Sequence, residues 1–190
     1  MLLALDTSTP LVSVALAEDG TVLTEATSER PMQHGEQLAP MIVRALAEVG
    51  ALRQDVTAVA VGVGPGPYTG LRVGIVTART FALVLSIPVY GVCSLDVLAA
   101  AAADAGVREP FLATTDARRK ELFWAAYDEG GSRIDGPFVG RPDTLPGDRL
   151  EVAISRSTGD PGHDGGEVRT VRLTPVGARW VGSDVADLVG

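Results

Sequence analysis

The chain has 190 residues, 46% hydrophobic and 21% charged, which supports a sizeable core and excludes collagen, coiled-coil arrays and wholesale disorder. Sixteen Lys and Arg stand against twenty-four Asp and Glu, a net charge of −8, so the chain is not expected to hold a phosphodiester backbone alone. One cysteine, Cys93, and two histidines, His34 and His163, exclude an internal disulfide and the usual structural zinc site.

Leu2 to Leu5, Leu11 to Ala17 and Thr21 to Thr27 are β-prone runs separated by Thr7-Ser8-Thr9-Pro10 and Glu18-Asp19-Gly20, which predicts an antiparallel meander. From Glu36 the period changes. Leu38, Met41, Ile42, Ala45, Leu46 and Val49 follow helical spacing, and Gly50 stands where a C-terminal cap belongs. Val56 to Val61 reads as a buried strand, Gly62 to Gly70 as a loop, Leu71 to Leu85 as a second helix and Pro88 to Val92 as a strand. Ser94 is expected to cap a third helix through Ala99 to Ala103, and Asp104 to Pro110 reads as a linker. Phe111 to Thr115, Leu122 to Tyr127 and Arg133 to Val139 then predict three more strands, around turns at Arg118-Arg119 and Gly130-Gly131.

This second βββ start predicts two lobes, 1–105 and 106–190. Beyond Pro146 the pattern fades. Ser155 to Glu167 is rich in Gly, Asp and Ser and is expected to be flexible, leaving Val168 to Val176 and Trp180 to Val189 as structured pieces. The second lobe is therefore expected to be smaller, divergent or incomplete. Asp6 interrupts the first apolar stretch, the first basic residue is Arg30, and the uncharged run Thr80 to Leu95 contains Pro88 and is too short to span a bilayer. A soluble protein of the reducing cytoplasm is expected.

Several groups are candidates for chemistry. Asp6-Thr7-Ser8-Thr9 follows the first strand, where hydroxyls and amides can surround a phosphate, although a tight turn explains the same residues. Gly64 to Gly70 joins a strand to a helix, yet it lacks the P-loop lysine, and Pro65 and Pro67 remove amide donors. In the second helix Gly70, Gly74, Ala78 and Ala82 recur every four residues, a stripe another helix could approach closely, while Val73, Val76, Leu83 and Val84 extend apolarity round the circumference. His34 has no second histidine four residues on, that position being Leu38, and Cys93 has no base or cation nearby in sequence. Arg118-Arg119-Lys120 is a basic turn, able to meet phosphate or a partner carboxylate, and equally explained as a solvated turn.

Leu3-Ala4-Leu5-Asp6-Thr7-Ser8-Thr9, His34-Gly35-Glu36-Gln37-Leu38-Ala39-Pro40, the run Gly64 to Gly74 and Asp116-Ala117-Arg118-Arg119-Lys120-Glu121 occur in this order, and together they resemble the TsaB (YeaZ) family. The resemblance covers residues 1 to about 140. It implies an α/β chain with the actin-like ATPase fold of sugar kinases, Hsp70 and actin, in two βββαβα-type lobes. It further implies a noncatalytic paralogue of the TsaD-type transferase that makes N6-threonylcarbamoyladenosine at tRNA adenosine 37. The implied partners are that transferase and a TsaE-type ATPase, with a homodimer when the chain is alone, tRNA met only through the complex, and no membrane. No intrinsic cofactor is implied, ATP being used by the complex, and Asp6 to Thr9 becomes a vestigial phosphate loop.

The catalytic paralogue holds metal with a histidine pair four residues apart. Here the pattern survives as His34 and Leu38, so no metal site and no metalloprotease chemistry is expected. The partner interface is expected on the first two helices, at Leu38, Met41, Ile42 and Leu46 with Gly70, Leu71, Gly74, Ile75, Ala78 and Ala82. The alternative, an ATP-dependent small-molecule kinase or acyltransferase of the same fold, would need a positioned base and a phosphate cradle in both lobes.

Overall fold

A computed structural model describes residues 1–28, 33–146, 150–155 and 168–173. The chain forms two compact units, Met1–Ser94 and Leu95–Gly190. The first is built in the order β1 (Leu2–Asp6), β2 (Ser13–Glu18), β3 (Thr21–Thr27), α1 (His34–Glu48), β4 (Ala58–Gly64), α2 (Tyr68–Leu85) and β5 (Val89–Cys93), with α3 (Ser94–Asp104) leading into the second. Its sheet has the order β3-β2-β1-β4-β5. The first three strands are antiparallel neighbours, whereas β4 runs parallel to β1, and β5 parallel to β4. Three meandering strands followed by parallel strands with intervening helices make the βββαβα lobe of the actin-like fold.

Alternation along the strands decides which face is covered. Leu3 and Leu5, Val14 and Leu16, and Val59 and Val61 form one buried core with Leu38, Met41, Ile42, Ala45 and Leu46 of α1 and Ala78 and Ala82 of α2. α1 lies over β2 and β3, α2 lies over β1, β4 and β5, and the two helices touch. Each fully buried Leu, Ile or Val contributes roughly 1.5–3 kcal/mol relative to exposure, so this cluster is the main stabiliser of the unit.

The helix ends are set by backbone geometry. After α1, Gly50 at φ +69 lets its amide reach Ala47 and lets Ala51 reach back to Leu46. The same pair of bonds closes α3: Gly106, at φ +93, donates to Ala103, and Val107 donates to Ala102. Asp104 to Pro110, expected as a linker, is therefore a built helix stop with Val107 buried, and the division between the units falls at 94/95 rather than 105/106. α2 begins at Tyr68, so its first turn takes three residues assigned above to the loop.

The second unit pairs β6 (Phe111–Arg118), β7 (Glu121–Tyr127), β8 (Arg133–Gly140), β9 (Leu150–Ser155) and β10 (Val168–Leu173) in the order β10-β9-β6-β7-β8. β6 to β8 repeat the antiparallel start of the first sheet, and β9 runs parallel to β6 as β4 does to β1. The repetition ends at the fifth strand: β10 is antiparallel to β9. Among the described residues only the 3-10 turn Pro142–Thr144 lies between β8 and β9, where the first unit has α1. The core here is Leu95, Leu98, Ala99 and Ala102 of α3 with Phe111, Leu112, Ala113, Leu122, Ala125 and Tyr127. Phe111 and Tyr127 stack with ring centroids 5.4 Å apart, and Tyr127 donates its hydroxyl to Asp96 at 2.7 Å. Expectations for 156–167 and for Trp180 to Val189 lie outside the described residues.

Candidate functional site

The turn after β1 is held by a dense set of side-chain hydrogen bonds. Asp6 Oδ1 accepts both the amide and the hydroxyl of Ser8 at 2.6 Å, an arrangement that closes the turn on itself. The Thr7 hydroxyl, fully buried, donates to the Gly70 carbonyl at 2.8 Å and accepts the Gly74 amide at 3.1 Å, so it bridges one turn of α2. Ser94 Oγ donates to Ser8 Oγ at 2.9 Å, and His34 Nε2 donates to the Thr9 carbonyl at 2.7 Å. Because a carbonyl can only accept, this bond fixes the proton on Nε2.

Glycines let the surrounding backbone approach. A Cβ on Gly62 would collide with the Asp6 carboxylate, on Gly66 with the Ser8 carbonyl, on Gly70 with the Thr7 carbonyl and on Gly74 with the Thr7 hydroxyl. The Thr7 and Ser8 hydroxyls and the Ser8 amide, groups of the kind that meet a phosphate, are engaged within the protein. His34 is bonded to Thr9, Leu38 is in the core, and among the described residues no three His, Cys, Asp or Glu side chains gather.

The small-residue stripe therefore faces inward, contrary to the interface expected above. Ala78 is 0% exposed and Ala82, Leu38, Met41, Ile42 and Leu46 are buried with it, while Gly70 and Gly74 lie against Thr7. The stripe fits α2 against its own β1 turn and sheet. Leu71 and Ile75 are half-buried at the border of that face. The consequence appears on the opposite side: Val76, Leu83 and Val84 are 58%, 80% and 72% exposed. The sequence signal for them was apolarity all round α2, which small residues on one side alone cannot explain. α2 is also long and apolar enough to cross a membrane by length and composition, but it carries Arg72 and Arg79 and seats its small face on the sheet.

The basic turn lies in the second unit. Arg118 pairs with Glu121 across the β6–β7 hairpin, leaving Arg119 and Lys120 as a two-residue loop. Their φ values are +56 and +65, and that of Arg118 is +67. A two-residue loop with positive φ at both positions has the signs of a type I′ turn, for which Asn-Gly and Asp-Gly are favoured. The β2–β3 hairpin follows that preference, with Asp19 at φ +50 and Gly20 at φ +78. Left-handed backbone costs a side-chain-bearing residue roughly 1–2 kcal/mol, so the basic tip is locally strained. Beneath it, Asp116 Oδ1 accepts the Arg118 amide at 2.7 Å, the same closure Asp6 makes with Ser8. Cys93, half-buried at the end of β5, is not joined to any of these groups by a hydrogen bond among the described residues.

The family model described as TsaD, tRNA N6-adenosine threonylcarbamoyltransferase, matches residues 21–141. The tRNA threonylcarbamoyladenosine biosynthesis protein TsaB of Escherichia coli is 41% identical over 133 residues, covering 68% of this chain and 57% of that protein. The chain belongs to the TsaB/YeaZ family. The solved structure of YeaZ from Pseudomonas aeruginosa superimposes on the TsaB-family fold of this chain with a TM-score of 0.68 at 35% identity, covering 76% of this chain and 68% of that one. An uncharacterized Mycobacterium tuberculosis relative is 42% identical over 154 residues, 80% of this chain and 70% of the relative. This TsaB-family chain spans 43% of a Mycobacterium leprae relative and little more than half of the E. coli TsaB.

Proposed function

We propose that this chain is a noncatalytic partner that binds and activates a TsaD-type transferase in forming N6-threonylcarbamoyladenosine at tRNA adenosine 37. The observation that carries this reading is the filled Asp6–Thr9 turn. Where the fold would offer phosphate donors, Thr7, Ser8 and His34 instead lock β1, α1 and α2 together. The TsaB relatives, tRNA threonylcarbamoyladenosine biosynthesis proteins by name, point to the pathway.

The locking explains how a chain without chemistry of its own can act. Small residues on the inner face let α2 sit close to β1, and Thr7 fixes its register; the bulk is left outside. Val76, Leu83 and Val84 then form a preorganised apolar ridge, suited to a helical partner. The same ridge serves a homodimer when the chain is alone, so the transferase and a second copy compete for it. A TsaE-type ATPase completes the assembly, ATP is used by the complex rather than this chain, tRNA is met only within it, and the work is done in the cytoplasm.

The experiment is reconstitution. The chain alone should leave unmodified tRNA unchanged, whereas adding a TsaD-type subunit, a TsaE-type ATPase and a source of threonylcarbamoyl-adenylate should yield modified tRNA only when the chain is present. Modification by the isolated chain, or equal modification without it, would refute the proposal.

A further inference from the structure

We propose that the β6–β7 hairpin tip, Arg118-Arg119-Lys120, is a contact for the phosphate backbone of the tRNA that the assembled complex modifies; the inference rests on the functional reading above. Three observations lead to it. All three cations are exposed at a hairpin tip in a chain of net charge −8, and Lys120 is the only lysine in the sequence. All three occupy left-handed backbone, at φ +67, +56 and +65, where a side chain is disfavoured. And β2–β3, another hairpin of this chain closed by a two-residue loop, makes that loop with Asp19-Gly20, the favoured choice. Folding the hairpin therefore does not call for cations at these positions.

Neighbouring acids leave the tip its charge. Asp116 lies below it, with one oxygen on the Arg118 amide at 2.7 Å and the other 3.9 Å from the Arg118 Nε, and Glu121 is half-buried at the start of β7. Arg119 and Lys120 have no carboxylate within ion-pair distance among the described residues, so both are available to a phosphodiester. Three cations are too few to hold RNA by themselves. They suit a supplementary contact, made once a partner has brought the tRNA into reach.

The test replaces the tip by residues that suit its backbone: Arg118→Asn, Arg119→Asn and Lys120→Gly together. This variant should melt no lower than the wild type, because Asn and Gly tolerate left-handed φ. In the full complex, an unmodified tRNA that reads a codon beginning with A should bind at least about tenfold more weakly at low salt, and the slope of log K against log salt should be shallower by about 2 to 3. A second variant, Arg118→Lys with Arg119→Lys, should retain most of the affinity and slope. Unchanged tRNA affinity and slope in an intact complex would overturn the hairpin's role and leave the function standing. Weaker transferase binding with an unchanged salt slope would overturn it in favour of a protein contact. A wild-type chain that never joins the complex would overturn both.

Discussion

Gly74→Ala should destabilise the protein, although helix propensity alone requires the opposite. In an unencumbered helix interior the change gains about 1 kcal/mol. Here the new Cβ would enter the space of the Thr7 hydroxyl, and Thr7 is fully buried between β1 and α2. Relieving the overlap by moving α2 costs about 1–3 kcal/mol, as overpacking does. Relieving it by turning Thr7 breaks its bonds to Gly70 and Gly74, each worth about 1 kcal/mol. With both acting, the net loss is about 2–4 kcal/mol, read by equilibrium urea unfolding. Gly35→Ala is the internal control: it is exposed in the first turn of α1 with nothing within 4 Å of its Cβ position, and should be stabilising by a few tenths of a kcal/mol. On a Thr7→Ala background the penalty at Gly74 should largely vanish, a coupling that propensity cannot produce. A Gly74→Ala protein as stable as the wild type, or more so, would refute the packing argument.

Three further outcomes are expected. Leu83→Glu should leave stability within about 0.5 kcal/mol yet abolish self-association and weaken transferase binding more than tenfold by sedimentation, whereas Ala78→Glu buries a carboxylate in the core and should unfold the chain by circular dichroism. His34→Leu should cost about 1–3 kcal/mol in urea unfolding by leaving the Thr9 carbonyl unpaired, and His34→Gln, which keeps a donor, should recover part of it. Tyr127→Phe should cost about 1–2 kcal/mol through loss of the bond to Asp96; an effect near zero would show that water replaces it.

Periodicity and turn residues made most of the first unit legible. Leu38, Met41, Ile42 and Leu46 announced the apolar face of α1, though that face was expected against a partner and packs on the chain's own sheet; Gly50 announced the end of α1, and Asp19-Gly20 the β2–β3 hairpin, as local preferences that tertiary structure here obeys. The direction of the small stripe was not legible. Gly70, Gly74, Ala78 and Ala82 read equally as a seat for a partner helix or for the chain's own backbone, and what occupies that seat, Thr7, is 63 residues from Gly70 and 67 from Gly74. The link from Ser94 to Ser8 is equally remote, at 86 residues, and neither serine carries a local mark of it. Nor could composition foresee that β10 turns antiparallel to β9, since strand direction follows from the connection and not from the strand's own residues.

The place of β1 in its sheet bears on how the chain is made. It is synthesised before the strands it pairs with yet lies in the middle, with β2 beside it from residue 13 and β4, on its other edge, only from residue 58. The hairpins β1–β2 and β2–β3 are local and can close while the ribosome is still threading α1. During that interval Leu3 and Leu5 have no helix over them, and one whole edge of β1 offers unpaired amides and carbonyls to any neighbouring strand. Nascent chains halted before Ala58 are thus the ones most exposed to misassociation, and chaperones that shield strand edges should engage this unit before β4 is made rather than after.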